Sequence, residues 1–246
     1  MALVSFSERY TDGAYLEHAP DWHAGDAEWK AGKVFEMIER HRLGPSSVCD
    51  VGCGAGEVLA RLRARMGPGA QFSGFDISPQ AVTLARGKEA ANLRFFNLDF
   101  ARDTNEIFDL VLLLDVFEHV PDYLSFLGQL RARGRHFIFH IPLDLHAQSV
   151  LRKSRYMLSM RKEFGHLHYF TLETALATLA DTGYTVLDHF YTWDHETLPL
   201  TTRELTSRPW RWGIQALDRA LFHWAPGLAA SLRPHFNALV LARGDA

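Results

Sequence analysis

The sequence feature that most constrains the fold is a glycine-rich turn at residues 50–56, Asp-Val-Gly-Cys-Gly-Ala-Gly. An apolar run from Ser47 to Val51 leads into this turn and a helical pattern follows it, so we expect a strand, a turn and a helix in that order. Glycine permits positive φ and lets the backbone approach a ligand closely, while the first turn of a helix presents unpaired N–H groups. The turn therefore predicts a site for a polar ligand, most naturally a nucleotide.

Two familiar nucleotide motifs do not fit this turn. A dinucleotide fingerprint requires a third glycine where the chain has Glu57. A phosphate-binding P-loop requires Gly-Lys-Ser or Gly-Lys-Thr, and neither follows the turn. An NAD-dependent oxidoreductase stays open as a weaker hypothesis, because it would share the strand, the turn and an acidic residue beyond them.

The segments beyond the turn predict the strands of a doubly wound α/β sheet. Short apolar runs occupy residues 71–77, 93–99, 108–114, 135–141, 184–191 and 236–242. The run 108–114 is apolar almost throughout, as is typical of a strand covered on both faces. Asp76 lies near the end of the first of these runs, 20 positions after Gly56, which is the spacing at which an acid reaches ribose hydroxyls.

The turn and the segment after the fourth strand resemble the class I S-adenosylmethionine (SAM)-dependent methyltransferases. The turn is similar to motif I of that family, an acid followed by Gly-x-Gly-x-Gly. Residues 115–122, Asp-Val-Phe-Glu-His-Val-Pro-Asp, resemble the segment after strand four in small-molecule members, including those of ubiquinone synthesis. The resemblance covers residues 45–193 and the final strand. It implies a Rossmann-like, seven-stranded, mostly parallel sheet with an antiparallel last strand.

The resemblance also implies that SAM is the cofactor and which residues hold it. Asp76 is expected at the ribose hydroxyls, Asp99 at the adenine amino group and Phe100 over the adenine face. The complete set expected to bind the cofactor is Asp50, Gly52, Cys53, Gly54, Gly56, Asp76, Ile77, Asp99, Phe100, Leu114 and Asp115.

Histidines are the candidates for the base in such a reaction. The sulfonium already activates the methyl group, so the protein mainly positions and desolvates the reactants. If the acceptor is a hydroxyl, a histidine suits the removal of its proton, because imidazole changes charge near neutral pH. We expect His166 first, then His140 and His119, as the catalytic residue, with His168 also adjoining the site. A structural role stays open for each, since the chain has 13 histidines.

Asp115, Glu118 and His119 also resemble the acid-x-x-Glu-His group through which ubiquinone-pathway O-methyltransferases are thought to bind a divalent cation. Oxygen and imidazole ligands suit Mg²⁺, Mn²⁺ or Zn²⁺. The same string also occurs in metal-free relatives, and Asp115 has a shorter reach than the glutamate of that group. We therefore expect no metal, with Glu118 and His119 on the pocket floor.

Composition favours one soluble domain that acts on a small molecule. A chain of 246 residues with 47% hydrophobic content can bury a full core. The net charge of −3 provides no basic field for nucleic acid. The two cysteines form no disulfide or metal framework, and no apolar run reaches the roughly 18 residues that span a bilayer. A cytoplasmic location is the expectation.

We expect a single domain, 1–246, with an N-terminal lid (1–42), a cofactor-binding core (43–193), an insert (194–235) and a closing strand (236–246). The lid is predicted to contain a helix with Asp26 as its N-cap, although a helix that only covers the sheet edge fits equally. The lid residues expected near the cofactor are Tyr10, Trp22, Trp29 and Lys30.

A long connection at 142–165 carries the cations Arg152, Lys153, Arg155, Arg161 and Lys162. These cations could grip an anionic group of the substrate, but a solvated helix face is the favoured interpretation. Long loops in compact domains are often functional, so the segment is a second place where substrate specificity could reside.

The insert at 194–235 occupies the place of a hairpin turn between the last two strands. It contains an apolar stripe at helical spacing, formed by Trp210, Ile214, Leu217, Leu221 and Trp224. We expect this stripe to pack on the domain, and contact of residues 208–224 with a membrane surface or a partner is the alternative. The insert is expected to select a partly apolar substrate, with Arg203, Arg208 or Arg211 meeting an anionic group.

Two further classes of protein have to be considered. A nucleic-acid amino-methyltransferase would show Asn/Asp-Pro-Pro-aromatic there, and this chain has Asp115-Val116-Phe117-Glu118. A noncatalytic SAM-binding scaffold stays open, because an intact cofactor site does not prove turnover. The favoured prediction is SAM-dependent methyl transfer to a small-molecule acceptor, with a hydroxyl oxygen preferred.

Overall fold

The structure is a computed structural model and describes residues 24–151, 155–194 and 210–244. A seven-stranded sheet within these ranges has the order β3-β2-β1-β4-β5-β7-β6. The strands are β1 (Ser47–Val51), β2 (Gln71–Asp76), β3 (Leu93–Asn97), β4 (Phe108–Leu114), β5 (Gly134–Pro142), β6 (Tyr184–Trp193) and β7 (Phe236–Gly244). Strands β1 to β5 pair in parallel, whereas β7 is antiparallel to both β5 and β6. The predicted doubly wound sheet with an antiparallel last strand is confirmed.

Helices connect and cover these strands. They are α1 (Ala27–His41), α2 (Glu57–Met66), α3 (Pro79–Arg86), α4 (Phe100–Asp103), α5 (Tyr123–Leu130), α6 (Ala147–Leu151), α7 (Arg155–Glu163), α8 (Leu172–Asp181), α9 (Trp210–Trp224) and α10 (Pro226–Leu232). A short 3-10 turn, Phe117–His119, follows β4. Among the described residues, no helix has the combination of length and apolar character needed to cross a bilayer.

The sequence explains where several of these helices begin. The Ser78 hydroxyl accepts a hydrogen bond from the Ala81 N–H at the start of α3, and Pro79 occupies the first helical position. Thr171 and Thr174 cap the start of α8 reciprocally. Asp26 precedes α1 as predicted, but its side chain makes no capping hydrogen bond.

Two buried clusters lie on the two faces of the sheet. Alternate residues of β4 divide between them, because successive side chains of a strand point to opposite faces. Leu110 and Leu112 belong to the cluster that α1, α2 and α3 cover, and Val111 and Leu113 belong to the cluster under α5, α8 and α10. A sheet covered on both faces leaves its carboxyl edge as the open surface where ligands bind in doubly wound folds.

The insert packs differently from the prediction. Helix α9 forms as expected, but Leu217 and Trp224 of the predicted stripe are 61% and 83% exposed. Leu221 of the stripe packs against the core as predicted, and so does Phe222, whose ring lies 5.6 Å from the ring of Phe236. The prediction that the whole stripe packs on the domain was therefore wrong in part. The packed face of the helix includes Phe222, which does not belong to the predicted stripe.

Tyr10, Trp22, Arg152, Lys153, Arg203 and Arg208 lie outside the described residues, and so do the side chains of Trp210 and Arg211. The insert is therefore described only from residue 210 onward, and the lid only from residue 24 onward.

Candidate functional site

A cavity of about 790 Å³ opens at the carboxyl ends of the strands. It extends along the ends of β1, β2, β4 and β5 to helix α7 and the start of β7. All but one of the residues predicted to bind the cofactor line it: Asp50, Gly52, Cys53, Gly54, Asp76, Ile77, Asp99, Phe100, Leu114 and Asp115. The fold therefore brings these ten residues together at one cavity.

The remaining residue of that set, Gly56, is not among the residues that line the cavity. Its φ of 77° lies in the left-handed region, and a Cβ there would come within 2.6 Å of the Phe95 ring. Gly56 is therefore needed for the turn and for the packing of β3, and its contact with the cofactor stays a prediction.

Asp76 is held by the two turns that meet at the tip of β2. One carboxylate oxygen accepts the Gly54 N–H at 2.9 Å, and the other accepts the Ser78 N–H at 2.8 Å. Burial raises the pKa of Asp76, and these two hydrogen bonds oppose the rise. The carboxylate is thus fixed in place, and each oxygen keeps a lone pair for a further donor.

Asp50 lies under the glycine turn and is almost fully buried. Burial, followed by the negative charge of Asp76, raises the pKa of Asp50 to about 8. A buried carboxyl of this kind becomes more readily ionised when a positive charge is placed next to it. The cationic groups of SAM would supply such a charge.

The two residues expected at the adenine end have structural contacts as well. Asp99 caps α4 by accepting the Ala101 N–H at 3.1 Å. The Phe100 ring packs 4.8 Å from the Phe75 ring and is almost fully buried. Both residues line the cavity, so these contacts hold them rigidly at its edge.

A buried polar network joins α1 to the ends of β4 and β5. Asp115, whose φ is 57°, accepts from the Lys30 ammonium at 2.8 Å and from His140 Nδ1 at 2.6 Å. Burial opposes ionisation of Asp115, yet His140 and Lys30 hold its pKa well below the ordinary range. Burial likewise works against the charge on Lys30, but Asp115 outweighs it and raises the pKa of Lys30. The predicted lid helix is therefore fixed to the cavity by a charged pair.

His140 is less suited to act as a base than the sequence indicated. Its Nδ1 is occupied by Asp115, and its Nε2 lies 2.9 Å from the Thr192 hydroxyl. The side chain is 2% exposed, and the Trp29 ring packs edge-on against it at 5.9 Å. With both ring nitrogens engaged, His140 has no atom available for a substrate proton.

His166 retains a nitrogen for chemistry. Its Nδ1 lies 2.6 Å from a carboxylate oxygen of Asp144, and its Nε2 has no hydrogen-bond partner among the residues that the structure describes. The other Asp144 oxygen accepts from the Tyr156 hydroxyl at 3.2 Å. Burial, then the Asp144 charge, raises the pKa of Tyr156, so the phenol remains a donor. Asp144, His166 and Tyr156 all line the cavity.

Sequence reasoning missed Asp144 and Tyr156. Asp144 lies two residues after the end of β5, where a polar residue after a strand could have indicated a site. Nothing in the local sequence pairs Asp144 with a histidine 22 positions later, because the loop that brings them together is set by tertiary packing.

The other two histidines lie nearby in different surroundings. The His119 ring packs edge-on against the His166 ring at 4.9 Å, and both line the cavity. His168 Nε2 is bonded to the Val120 carbonyl at 2.9 Å, which gives this histidine a structural contact. His119 stays a candidate at the cavity wall, and His168 does not line the cavity.

Glu118 is buried behind this wall, and neither of its carboxyl oxygens has a hydrogen-bond partner among the described residues. Burial, followed by the charge of Asp115, raises its pKa well above the usual range. Ligand atoms of Glu118, His119 and His166 lie within 4.8 Å of one another. The metal group of the sequence resemblance would use Asp115, which instead pairs with Lys30 and His140. We assign no metal to these residues.

The far side of the cavity combines apolar and polar side chains and, among the described residues, carries no cation from α7. Its lining there is Tyr156, Met160, Phe164, Asp194, His235, Phe236 and Asn237. The cations Arg155, Arg161 and Lys162 of α7 are not among the lining residues. Burial raises the pKa of Asp194 to about 6. The described part of this wall therefore does not provide the anion grip that the cations of 142–165 could have formed.

Comparisons with known proteins agree with the geometry. Residues 26–189 match the family model described as a methyltransferase domain. A ubiquinone biosynthesis O-methyltransferase from Rhodopseudomonas palustris (strain BisA53) is 39% identical over 89 residues, which are 34% of this chain and 33% of that protein. Its counterpart from Thiobacillus denitrificans is 33% identical over 120 residues, which are 46% of this chain and 50% of that protein. The matches thus span half or less of these curated relatives.

Solved structures show the same fold at low sequence identity. The magnesium protoporphyrin IX methyltransferase of Synechocystis PCC 6803 with bound SAM matches with a TM-score of 0.61 and 15% identity, and the match covers 99% of both chains. At this identity the likeness concerns the fold of the chain.

Proposed function

The chain belongs to the methyltransferase domain family, and on that basis we propose that it transfers the methyl group of SAM to a hydroxyl oxygen of a small molecule. Family membership makes the chain a SAM-dependent methyltransferase, and the hydroxyl acceptor is our proposal. One observation carries it: His166, whose Nε2 has no hydrogen-bond partner within the described part of the chain, lines the same cavity as the glycine turn. The family match gives no support to an NAD-dependent oxidoreductase or a noncatalytic scaffold.

A base is needed for a hydroxyl but not for every acceptor. An alcohol or phenol carries a proton that must leave as oxygen attacks the methyl carbon, and a positioned imidazole typically contributes about 10²- to 10⁴-fold to such a step. An amine that is already neutral needs no such group. The Nε2 of His166, which lines the cavity and has no hydrogen-bond partner in the described ranges, therefore supports an oxygen acceptor.

The cofactor and the acceptor would divide the cavity between them. Asp50, Gly54 and Asp76 would hold SAM at the ends of β1 and β2, in line with the sequence prediction. The acceptor would then contact the wall formed by α7 and the start of β7, where Met160, Phe164 and Phe236 supply apolar surface. This supports a partly apolar substrate.

An amine acceptor is the second candidate, and a specific observation favours it. Asp144 and Asp194 line the acceptor side of the cavity, and the lining cation Lys30 is paired with Asp115. Carboxylates attract an ammonium group and repel a carboxylate or phosphate. The described residues therefore give more support to a neutral or cationic acceptor than to the anionic one considered from the sequence.

Methylation of a metabolite extract with ¹³C-methyl SAM distinguishes the two acceptor types. The protein is incubated with the extract, and the labelled carbon is identified by NMR as a methoxy or an N-methyl group. We expect a methoxy product. An N-methyl product would reject the oxygen proposal while leaving the enzyme class intact.

The Asp76→Ala variant is the control for this experiment. It retains His166 and the acceptor wall but lacks the acid expected at the ribose, so its methoxy signal should fall with SAM occupancy. Labelled product formed equally by the variant at limiting SAM would show that the signal arises from a contaminating enzyme.

A further inference from the structure

Asp144 is held rigidly between two other segments of the fold. The Leu143 N–H donates to the Phe236 carbonyl at 3.0 Å, and the Leu145 N–H donates to the Phe170 carbonyl at 3.1 Å. These bonds fix the backbone on both sides of Asp144. The side chain is 7% exposed and bonds His166 with one oxygen and Tyr156 with the other.

We propose that Asp144 is the positioning residue of an Asp144–His166 pair in which His166 Nε2 receives the proton of the acceptor hydroxyl. This inference rests on the proposed function, and it adds the group that orients the base. Asp144 does not touch the substrate in this account and acts only through His166.

The carboxylate decides which nitrogen of His166 carries the proton. An ionised carboxylate can only accept hydrogen bonds, so the imidazole must place its hydrogen on Nδ1. A neutral imidazole has one protonated and one unprotonated nitrogen, and Nε2 is then left as the acceptor. The Tyr156 hydroxyl supports this state, because it donates to the second oxygen of Asp144.

The resulting step balances in atoms and charge. The acceptor oxygen attacks the methyl carbon of SAM, a C–O bond forms, and the C–S bond breaks with its electron pair passing to sulfur. The hydroxyl proton moves to His166 Nε2, which creates an imidazolium. Asp144 stabilises that positive charge across the 2.6 Å contact. The products are a methyl ether and S-adenosylhomocysteine.

Several other titratable groups surround His166 and enter any pH dependence. Asp144 follows β5, and Tyr156 reaches it from α7. On the side of the 3-10 turn after β4, His119 packs edge-on against the His166 ring, and Glu118 lies behind it. Burial raises the pKa of Glu118, and Asp144 is the carboxyl group in hydrogen-bond contact with His166.

The position of the proton on His166 can be measured without knowing the acceptor. In ¹⁵N-labelled protein, long-range ¹H–¹⁵N correlations separate protonated from unprotonated ring nitrogens, and the His166→Asn spectrum identifies the His166 signals by their loss. We expect Nδ1 protonated and Nε2 unprotonated in the wild-type protein. Protonation of His166 on Nε2 at neutral pH would overturn the proposal with no variant of Asp144 required.

The Asp144→Asn variant tests the kinetic role once the labelled product has been found. Its turnover should fall by about 10²- to 10⁴-fold, in the range of general-base and triad-acid substitutions. In the pH profile of kcat/KM, the acidic limb should move to lower pH by about one unit or more. A negative charge in contact with an imidazole favours its protonated form, and the Asn variant lacks that charge. Loss of structure alone would lower the rate at every pH without moving the limb.

An Asp–His contact away from the cavity supplies the matched control. Asp188 lies 2.8 Å from His41 Nε2, at the edge of the sheet and outside the cavity lining. The Asp188→Asn variant should retain the wild-type turnover within about twofold, SAM affinity and the wild-type pH profile, as expected for a surface change. A shift of the limb in this control equal to that of Asp144→Asn would overturn the proposal.

The two proposals fail in different ways. If the wild-type product is an N-methyl group, the oxygen acceptor is wrong, whatever the state of His166. If the product is a methoxy group and Asp144→Asn turns over at the wild-type rate with an unmoved limb, the proposed function stands and the positioning role of Asp144 is wrong.

Discussion

Gly54 donates its backbone N–H to the Asp76 carboxylate over 2.9 Å, which ties the turn after β1 directly to the tip of β2. Gly54 belongs to the glycine-rich turn and Asp76 to the end of β2, two segments that are predicted separately from the sequence. Their contact means that the acid is oriented before any ligand enters, and preorganisation of this kind lowers the entropic cost of binding.

The Asp76→Ala substitution should weaken binding of SAM and S-adenosylhomocysteine. Charge-assisted hydrogen bonds are worth about 1.5–3 kcal/mol each, so affinity should fall by roughly ten- to a hundredfold or more. The Asn variant should lose less, since its amide retains one acceptor oxygen. Titration calorimetry measures both. Unchanged affinity in the Ala variant would contradict the placement of the ribose at Asp76.

The Gly54→Val substitution should abolish SAM binding while the sheet still forms. Gly54 has a φ of 53°, a conformation that β-branched residues rarely adopt, so affinity should fall by more than about a hundredfold. Gly128→Ala is the control, because a Cβ at Gly128 meets no atom within 4 Å. Circular dichroism establishes folding and calorimetry the affinity. Full affinity in a folded Gly54→Val protein would place the ligand elsewhere.

Asp50 should give the ligand-free protein a distinctive pH dependence. Its pKa of about 8 is raised by folding, so the stability linked to it is full below the unfolded pKa and is lost as pH rises through 8. This single group contributes a slope of up to about 1.4 kcal/mol per pH unit to the unfolding free energy. Asp50→Asn should remove that slope, as measured by urea unfolding across this range.

The Asp194→Asn variant shows whether the pH dependence of stability between pH 6 and 8 belongs to Asp50 or to buried carboxyl groups in general. Its pKa of about 6 is also raised by burial, so Asp194→Asn should flatten the slope below pH 6 and leave the region from 6 to 8 unchanged. Equal slopes between pH 6 and 8 in the wild-type and Asp50→Asn proteins would show that Asp50 is ionised in the ligand-free state.

The packed face of α9 should depend on Phe222 and not on Trp224. Phe222→Ala removes ring contacts with Trp193 and Phe236, and we expect it to cost about 2 kcal/mol or more in the free energy of unfolding. Trp224 is 83% exposed, so Trp224→Ala should change stability by less than about 0.5 kcal/mol. Urea unfolding compares the two. The reverse order would restore the stripe predicted from the sequence.

The fold could be predicted from the sequence because its signals are local. The strand β4 is an uninterrupted apolar run, and Ser78 and Thr171 precede their helices with the expected caps. Most residues predicted to bind the cofactor also meet at one cavity, because each follows a single strand in the order that the sheet imposes. In contrast, Phe222 was missed because the orientation of α9 depends on contacts with β6 and β7.

The acceptor side of the site could not be predicted because its residues act in pairs from distant segments. Nothing in the sequence around His140 shows that Asp115 and Thr192 occupy both of its nitrogens. Likewise, the sequence indicated His166 as a candidate but did not identify Asp144 as its partner. Such pairs are determined by the packing of loops at the sheet edge, which residue patterns along the chain do not encode.

The most direct test of the account is the rate of methyl transfer by the His166→Asn variant to the acceptor found with ¹³C-methyl SAM, with SAM affinity measured in parallel. We predict that turnover falls by about 10²- to 10⁴-fold while the affinity for SAM stays within a few-fold of the wild-type value. Turnover at the wild-type rate with a methoxy product would contradict the central claim that His166 takes the proton of the acceptor hydroxyl.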